Sequence, residues 1–375
     1  MTSNHIHIVS FDIPYPPDYG GVIDVFYTIQ ALHEAGIAIT LHCSYKGTLT
    51  HFPQLEQLCD KVYYYKRRTN IIAQLSCLPY EIVSRIDKDL LTNLLQDEDP
   101  ILFEGLISCG YMSHPLLAQR KKIFRESNIE HDYYRGLAEA SRSLWKSLFY
   151  RIEAWKLERY EPIIRHAASI AAVAHQDEHY FQQRYPEIPT YYIPSFHGSK
   201  EVQVKDGIGD YILYHGNLRV PENENAALFL LQHVVPALPE CRFIFAGRNP
   251  SPKLRAHVAK YQQATLIESP DAAHMERLIS DAQIHLLPTF QGTGLKLKLL
   301  NVLYNGRFVI VNSPMVNGTD VAPLCHIADT AEEMIDACRQ LVRTPFSQTQ
   351  IQKRLAVLES IYNDKANIQK LTHLL

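Results

Sequence analysis

Apolar and polar positions along the chain follow two rhythms: short continuous apolar runs, and longer segments with apolar residues every three or four positions. The run His5–Phe11 predicts a buried strand, and the apolar spacing over Val22–His33 predicts a helix. Gly36 stands where a helix commonly ends, and Ile37–Cys43 predicts a second strand. These elements form one βαβ unit, the building block of parallel sheets that are buried on both faces.

The rest of the first half predicts further strands and one long helix. The strands are expected at Ile101–Glu104, Lys122–Phe124 and Ser169–Ala174. From Ala138 to Ala168 the apolar pattern predicts a continuous helix. One stripe of that helix carries Leu144, Leu148, Ile152 and Trp155.

A polar stretch with three glycines, Phe196–Asp210, is the best candidate for a linker between domains. A more regular alternation follows it. The predicted strands are Tyr211–His215, Arg242–Ala246, Thr265–Ile267, Ile284–Leu287 and Phe308–Val311. The predicted helices are Glu224–Val235, Lys253–Tyr261, a helix capped by Ser269 that starts with Pro270, and Leu295–Asn305. The tail from 330 to 375 is expected to be mostly helical.

Two successive alternating halves predict an α/β fold with two Rossmann-like, doubly wound domains that face each other across a cleft. A length of 375 residues fits two domains better than one. We place the N-terminal domain at residues 1–197 and the C-terminal domain at residues 198–354. Because ligands of doubly wound sheets bind outside the carboxyl ends of the strands, the loops that follow strands are the places to look for function.

Composition and charge exclude several classes of protein. The 37 Lys and Arg residues against 40 Asp and Glu give a formal charge of −3, which argues against bulk nucleic-acid binding. Seven cysteines with no CxxC pair make a disulfide framework or structural zinc site unexpected and fit a reducing compartment. The chain has 18 histidines, but we find no HExxH motif or other metal-ligand spacing. No signal peptide or apolar run of about 20 residues is visible, which predicts a cytoplasmic protein.

Gly20 and Gly21 follow the first strand at the mouth of a predicted helix. A helix start offers free backbone N–H groups and a positive dipole end, and glycine lets a ligand approach the backbone closely. A plain tight turn would use the same residues, so the pair alone leaves phosphate binding and turn geometry equally open.

The segment Gln291–Gly306 carries the strongest candidate. Gly292, Thr293 and Gly294 lie between a strand and a helix, which is a good position for an anion site. On the helix, Lys298, Asn301 and Asn305 are three and four positions apart and share one polar face. Lys296 is two positions from Lys298, so we expect it to face elsewhere and Lys298 to face the cleft.

Two arginines follow strands of the second half. One belongs to the run Gly216, Asn217, Leu218 and Arg219, and the other is Arg248. Arginine binds phosphate through two parallel hydrogen bonds, so these residues together with Lys298 would form a cationic pocket for a diphosphate. A lone arginine in such a place is more commonly a surface ion-pair partner.

In the first half, Asn128, Glu130 and His131 follow a predicted strand and are candidates for binding a sugar or another polar acceptor. Basic and aromatic residues alternate over 138–165, a pattern that occurs in helices lying on anionic membranes. Glutamates are interspersed there, so an ordinary solvated helix is the favoured interpretation.

Together, several segments resemble the GT-B glycosyltransferases and, within them, the retaining glycosyltransferase family 4. The similar segments are PYPPDYGGVIDVFYTIQALHEAG, FEGLIS, SNIEHDYYRGLA, YHGNLRVPENENA, FIFAGRN and LLPTFQGTGLKLKLLNVLYNGRFVIVN. The resemblance spans most of the chain, and it rests on the order and spacing of these moderately specific pieces.

The resemblance implies a nucleotide-sugar donor held mainly by the second domain, no essential metal or cofactor, and a C-terminal helix, about 355–375, that packs back on the first domain. Arg219 and Lys298 would neutralise the leaving diphosphate as catalytic residues. The donor would also be bound by Gly20, Gly21, Gly216, Asn217, Arg248, Gly292, Thr293, Gly294 and Asn301. Asn128 and Glu130 would lie on the acceptor side.

The chain departs from the family pattern in three places, and at one of them, near the glycine loop, Gln291 and Thr293 stand where relatives carry an acidic residue. Asn301 stands where relatives usually carry a glutamate for the donor's hydroxyls, and Ser127 stands where relatives often carry a histidine near the reacting carbon. Asparagine still forms hydrogen bonds but lacks the charge-assisted contact.

The leading hypothesis is a hexosyltransferase of bacterial surface polysaccharide synthesis that uses a glycan or lipid-linked acceptor, with peripheral contact to the inner face of the membrane. A non-catalytic GT-B partner protein is the first alternative, and a nucleotide-sugar 2-epimerase is the second.

Overall fold

The computed structural model describes residues 4–17, 20–126, 128–141, 143–290 and 296–375. The chain divides into two compact units. Unit 1 comprises Met1–Gly198 together with Asp364–Leu375, and unit 2 comprises Ser199–Asn363.

Unit 1 is built on a seven-stranded, wholly parallel sheet with the order β3-β2-β1-β4-β5-β6-β7. Its strands are β1 (His5–Ser10), β2 (Ala38–Tyr45), β3 (Lys61–Lys66), β4 (Ile101–Glu104), β5 (Lys122–Glu126), β6 (Ser169–Ala172) and β7 (Thr190–Tyr192). Its helices are α1 (Gly20–Glu34), α2 (Pro53–Leu58), α3 (Ile71–Gln74), α4 (Tyr80–Val83), α5 (Lys88–Leu94), α6 (Glu130–Ala140), α7 (Leu144–Tyr160), α8 (His175–Arg184) and α16 (Asp364–Thr372).

Unit 2 repeats the plan with six parallel strands in the order β10-β9-β8-β11-β12-β13. Its strands are β8 (Ile212–His215), β9 (Phe243–Gly247), β10 (Ala264–Glu268), β11 (Ile284–Leu286), β12 (Phe308–Val311) and β13 (His326–Ile327). Its helices are α9 (Pro221–His233), α10 (Pro252–Val258), α11 (Ala272–Asp281), α12 (Leu297–Asn305), α13 (Ser313–Val316), α14 (Ala331–Leu341) and α15 (Gln348–Ile361).

Both faces of the unit 1 sheet are covered by apolar side chains, which explains why its strands are continuous apolar runs. One core contains residues of β1 and β2 with Ile29 of α1 and Leu371 of α16. A second core contains residues of β4 and β5 with Leu157 of α7 and Phe181 of α8. The alternating halves and the parallel sheets confirm the predicted α/β fold with two Rossmann-like domains.

Helix α1 begins at the glycine pair and ends as the sequence indicates. Gly36 has a φ of +78°, a conformation that glycine adopts without the steric cost of a Cβ. The amide of Gly36 donates to the carbonyl of His33, and the amide of Ile37 donates to that of Leu32. These bonds satisfy carbonyl groups that the last helical turn leaves open.

The single long helix predicted over 138–168 is wrong. The segment forms α6, α7 and a short 3₁₀ turn at Glu161–His166. Ser141 and Ser143 are extended, and the Ser143 hydroxyl accepts a hydrogen bond from the amide of Lys146, so a new helix starts there. Helices α6 and α7 pack against each other on either side of this break.

The predicted cap of the helix before Asp281 is also wrong. Ser269 has a φ of +48° in the turn after β10, and Asp271 caps α11 by accepting a hydrogen bond from the amide of His274 at 2.7 Å. Serine and aspartate both favour the N-cap position of a helix. The turn after β10 delays the start of α11, so that Asp271 and not Ser269 occupies this position.

Candidate functional site

The carboxyl edge of the unit 2 sheet has a topological switch point between β8 and β11. After β8 the chain adds β9 and β10 on one side of this strand. It then returns to add β11 on the other side of β8. The loops after these two central strands lead to α9 and, through residues 291–295, to α12. A crevice at such a point is where doubly wound sheets bind ligands.

Lys298 of α12 lies partly buried at this edge. Its ammonium group donates a 2.9 Å hydrogen bond to Oδ1 of Asn223 and lies 5.6 Å from the centre of the Tyr214 ring. Burial lowers the pKa of Lys298 to about 8, although the nearby Glu222 raises it. A desolvated cation held in this way interacts more strongly with an anionic ligand than a surface lysine does.

Lys296 also reaches this edge, so the expectation that it faces elsewhere is wrong. Its ammonium group lies 3.8 Å from Oε1 of Glu222, and Glu222 also acts on the pKa of Lys298. Helical spacing does not govern Lys296, because Lys296 is the extended residue before α12, with φ −83° and ψ 97°. Two lysines and one glutamate therefore meet at the start of this helix.

Glu222 is held in place by Thr289, which follows β11. The Thr289 hydroxyl donates to the Glu222 carboxylate. Thr289 is itself fixed by Asn312 after β12, because its amide donates to Asn312 Oδ1 at 2.9 Å and its carbonyl accepts from Nδ2 at 2.6 Å. The loops after three strands of the sheet thus support one carboxylate beside Lys296.

The loop after β8 is ordered by Asn223 and Asn217. Asn223 Nδ2 donates to the carbonyl of Asn217 at 3.1 Å, and the amide of Arg219 donates to Asn217 Oδ1 at 3.2 Å. A Cβ on Gly216 would lie 3.1 Å from Cγ of Asn223, so glycine keeps this loop close to α9. The Arg219 side chain is exposed.

Other predicted donor residues lie around this edge without joining the Lys298 contact. Arg248 is exposed after β9. Asn301 is exposed on α12, where its side-chain oxygen accepts a 2.8 Å hydrogen bond from Asn305. Gly292, Thr293 and Gly294 lie outside the described residues.

In unit 1 the two predicted glycines differ in surroundings. Both begin α1 at the carboxyl end of β1. A Cβ added at Gly20 would meet nothing within 4 Å, whereas a Cβ at Gly21 would lie 2.7 Å from the Phe11 ring. Gly21 therefore serves packing, and Gly20 leaves its backbone open to an approaching ligand.

Buried carboxyl groups gather at the carboxyl edge of the unit 1 sheet. Glu104 ends β4, Glu126 ends β5, and Glu130 begins α6. Burial raises the pKa of Glu104 to about 8 and that of Glu130 to about 7, and it also raises that of Glu126. The amide of Asn128 donates to Glu126 Oε1 at 2.7 Å. Of the two predicted acceptor-side residues, Glu130 is buried and Asn128 is partly buried.

Sequence reasoning missed several residues at these two edges. They are Glu104, Glu126, Glu222, Asn223 and Thr289. The acidic and amide residues of the run PENEN, residues 221–225, are compatible with a polar site at the start of α9. Acidic residues in a first helical turn are also explained by the helix dipole, so the run alone does not identify a site. Glu104 and Glu126 end apolar strands, where a glutamate gives no sign of its burial.

No family model matches the chain. Among curated proteins, an uncharacterised 44.6 kDa protein in the cps region of Klebsiella pneumoniae is 26% identical over 329 residues, which cover 84% of each chain.

Solved structures resemble the chain over nearly its whole length. Sucrose-phosphate synthase from Thermosynechococcus elongatus has a TM-score of 0.64 at 13% identity, and the match covers 99% of this chain and 98% of the synthase. A variant of S. aureus TarM solved with UDP has a TM-score of 0.65 at 9% identity, with 100% and 99% covered. HepE from Anabaena, solved with UDP and glucose, has a TM-score of 0.64 at 11% identity, with 98% of both chains covered.

These neighbours and the two Rossmann-like units define the fold as that of the GT-B glycosyltransferases. At this level of identity the likeness concerns the fold. Among the described residues, no helix has the length and apolar character required to cross a bilayer.

Proposed function

We propose that the protein is a hexosyltransferase that moves a sugar from a nucleotide-sugar donor to a glycan or lipid-linked acceptor in bacterial surface polysaccharide synthesis. The observation that carries this proposal is the pair Lys296 and Lys298 at the switch point of unit 2. Lys296 lies beside the Glu222 carboxylate and the buried Lys298 is held by Asn223, both at a helix start, where the fold places ligands.

In this proposal Lys298 and Arg219 neutralise the diphosphate as it leaves. The acceptor hydroxyl attacks the anomeric carbon while the bond from that carbon to the diphosphate breaks, and the hydroxyl proton passes to the leaving phosphate oxygen. Cations fixed before the reaction stabilise the charge that develops on the leaving group. We expect no metal requirement and retention of the anomeric configuration through front-face substitution.

The comparisons support the donor class and the setting. TarM and HepE were solved with UDP, and the relative from Klebsiella pneumoniae belongs to the cps, or capsule, region. We assign donor contacts to Gly216, Asn217, Arg248, Asn301 and the loop 292–294. We assign Gly20 to the donor, and Asn128 and Glu130 to the acceptor, whereas Gly21 keeps the packing role that its closeness to Phe11 gives it.

A panel of UDP-, GDP- and TDP-sugars tests the proposal directly. At about 100 times its dissociation constant, a bound nucleotide adds about 2.7 kcal/mol to the stability of the folded protein, which thermal denaturation detects. Stabilisation by one base family, followed by transfer to a glycan acceptor with an α- or β-linkage read by NMR, would support the enzyme and define its stereochemistry. Binding by no nucleotide contradicts the donor assignment.

A non-catalytic partner protein is the second candidate, and Asn301 is the observation that favours it. Its side chain is occupied with Asn305 and supplies no carboxylate for a donor hydroxyl. Such a protein would bind no nucleotide sugar and would co-purify with another glycosyltransferase. The 2-epimerase alternative predicts that a nucleotide sugar is converted without any acceptor, which NMR of the donor alone would reveal.

A lipid-linked acceptor requires access to a bilayer, and α7 offers a suitable face. Six large apolar side chains of this helix are exposed. They are Leu144 (86% exposed), Trp145 (83%), Leu148, Phe149, Ile152 and Trp155.

The charges around this face favour an anionic bilayer as its occupant. Lys146, Arg151 and Arg159 are exposed on the same helix, and the Arg159 guanidinium lies 4.3 Å from the centre of the Trp155 ring. Glu153 is buried, and Glu158 is paired with an arginine of α6. Basic and aromatic side chains around an apolar face are typical of helices that lie in the membrane interface.

We propose that this face of α7 binds the anionic inner leaflet. The chain's two tryptophans both lie on it, so vesicle binding should shift their fluorescence to the blue. We expect binding to vesicles that contain phosphatidylglycerol and weak binding to vesicles of phosphatidylcholine alone. The double variant Leu148→Ala/Ile152→Ala should bind the anionic vesicles at least tenfold more weakly, because it loses the burial energy of two aliphatic side chains.

Leu116→Ala is the matched control, because Leu116 is an exposed leucine elsewhere in unit 1. Equal binding by the α7 variant and the wild type contradicts the proposal. So does a lipid-free dimer that the α7 variant abolishes, which would assign the face to a second copy of the chain.

A further inference from the structure

Two histidines and two aspartates meet at the amino-terminal end of the unit 1 sheet. His5 and His7 are two residues apart on β1, so their side chains lie on the same face of the sheet. Asp97 and Asp99 lie in the segment before β4, which is the strand next to β1. This end of the sheet is opposite to the carboxyl edge at which the donor and acceptor residues are assigned.

The four side chains converge on one point. His5 Nδ1 lies 2.7 Å from Asp99 Oδ2, and His7 Nε2 lies 2.9 Å from both carboxylate oxygens of Asp97. The four candidate ligand atoms, one from each residue, all lie within 4.8 Å of one another. Ligands at about 2.0–2.1 Å from a tetrahedral zinc ion are about 3.3 Å apart, so small shifts would accommodate the ion.

We propose that His5, His7, Asp97 and Asp99 bind one Zn²⁺ ion in a closed tetrahedral site. Imidazole nitrogens and carboxylate oxygens are ordinary zinc ligands, and four protein ligands with no open position characterise structural zinc. Two carboxylates and two neutral imidazoles balance the charge of the ion. No local spacing in the sequence indicates the site, because its two pairs of residues come from segments about 90 residues apart.

The other nitrogen of each imidazole already has a partner of the kind that metal-bound histidines use. His5 Nε2 lies 2.9 Å from the Thr40 hydroxyl, and His7 Nδ1 lies 2.9 Å from Nε2 of His42. His42 Nδ1 lies 2.8 Å from the Tyr65 hydroxyl. With these nitrogens acting as donors, His5 Nδ1 and His7 Nε2 present their lone pairs to the ion, and the rings are fixed in orientation.

Arg120 holds the aspartate segment. Its guanidinium donates to Asp97 Oδ1 at 3.2 Å and, through Nε, to the carbonyl of Asp99 at 2.8 Å. A carboxylate has enough lone pairs to accept such a bond and bind a metal at the same time.

The ion would tie β1 to the segment that leads into β4, the two strands at the switch point of unit 1. Its role is therefore structural, and the proposal does not depend on sugar transfer. The competing explanation is two separate His–Asp ion pairs with no metal. Zinc binding measured apart from activity distinguishes the two.

The experiment uses the full chain without a histidine tag, stripped by chelator and titrated with Zn²⁺ by calorimetry. We expect one tight site per chain, no comparable binding of Mg²⁺, and X-ray absorption showing nitrogen and oxygen ligands at about 2.0 Å with no sulfur. The near-isosteric Asp99→Asn and the partly exposed His5→Gln should each weaken binding at least tenfold, because each removes a ligand.

His51→Gln is the matched control, since His51 is exposed and lies 3.7 Å from Glu56. It should leave the tight site unchanged, although weak binding to other histidines is expected. Zinc affinity that is equal in wild type and Asp99→Asn overturns the proposal, as does the absence of any one-to-one site. Circular dichroism of each variant verifies that it folds. If His5→Gln does not fold, the comparison of wild type with Asp99→Asn still tests the proposal.

Discussion

The two sheets share one topology but carry opposite chemistry at their carboxyl edges. In each, the strand order reverses at one point, between β1 and β4 in unit 1 and between β8 and β11 in unit 2. Around the first point lie Glu104, Glu126 and Glu130, whose pKa values burial raises. Around the second lie Lys296 and Lys298, whose pKa values burial lowers.

This difference separates what the fold determines from what the residues determine. The parallel sheet fixes where a ligand can bind, and the side chains at the loop ends decide which ligand it is. Carboxyl groups that stay protonated near neutral pH can donate hydrogen bonds to sugar hydroxyls. Ammonium groups suit a diphosphate. The proposed division into an acceptor unit and a donor unit follows from this contrast.

The largest expected effect comes from removing the cations of the donor edge. Lys298→Ala should lower kcat about 10²–10³-fold, because a buried, preorganised charge on the leaving group is lost. Arg219→Ala should cost less, about tenfold, because its guanidinium is exposed to water. Steady-state transfer assays measure both.

Lys205→Ala is the control for these variants, since Lys205 is an exposed unit 2 lysine paired with Asp281. It should retain wild-type kcat. Near-normal activity in both Lys298→Ala and Arg219→Ala would remove the basis for the assigned leaving-group role.

The glycine pair allows function and packing to be separated at adjacent positions. Gly20→Ala meets no atom within 4 Å, so stability should hold while donor affinity falls about tenfold or more if a ligand approaches this backbone. Gly21→Ala places a methyl group 2.7 Å from the Phe11 ring and should destabilise the protein by about 1–3 kcal/mol. Urea unfolding and nucleotide titration give the two readouts, and full donor affinity in Gly20→Ala would identify a plain turn.

Much of the fold could be predicted because burial leaves a periodic trace in the sequence. Strands β4 and β12 occur at the predicted bounds, and Gly36 ends α1 as expected. Strand β3, with the sequence KVYYYK, was not predicted, because its tyrosines and terminal lysines make it less apolar than the central strands.

The sites were less predictable, since they depend on contacts between residues distant in the chain. Lys298 could be selected as a lysine after a glycine loop. Its partner Asn223 is 75 residues away, and the role of Glu222 depends on Thr289. Lys296 differs from its prediction because it precedes the helix, where helical spacing does not apply. The raised pKa values of unit 1 come from burial, which one residue's identity does not reveal.

A smaller effect should appear in the pH dependence of donor binding. Because the pKa of Lys298 is about 8, nucleotide affinity should fall roughly tenfold as pH rises past 8 and the ammonium loses its proton. Glu222→Gln removes the carboxylate that raises this pKa, so the fall should begin at lower pH. Lys298→Arg stays charged and should remove the fall. An identical pH profile in wild type and Lys298→Arg would assign the titration to another group.

The smallest expected effect tests the acidic edge through stability. The pKa of Glu130 is raised from 4.5 to about 7, so the folded protein keeps a proton that the unfolded chain releases between these values. Stability from this group is complete below pH 4.5 and is lost as pH rises to 7, by about 1–3 kcal/mol.

Glu130→Gln cannot titrate, so the difference in unfolding free energy between pH 5 and pH 7.5 should shrink by that amount. Urea denaturation at the two pH values measures it, and the slope that remains is expected from Glu104 and Glu126, whose pKa values burial also raises. An unchanged slope in Glu130→Gln would show that Glu130 is ionised in the folded protein, and the contrast between the two edges would then rest on Glu104 and Glu126 alone.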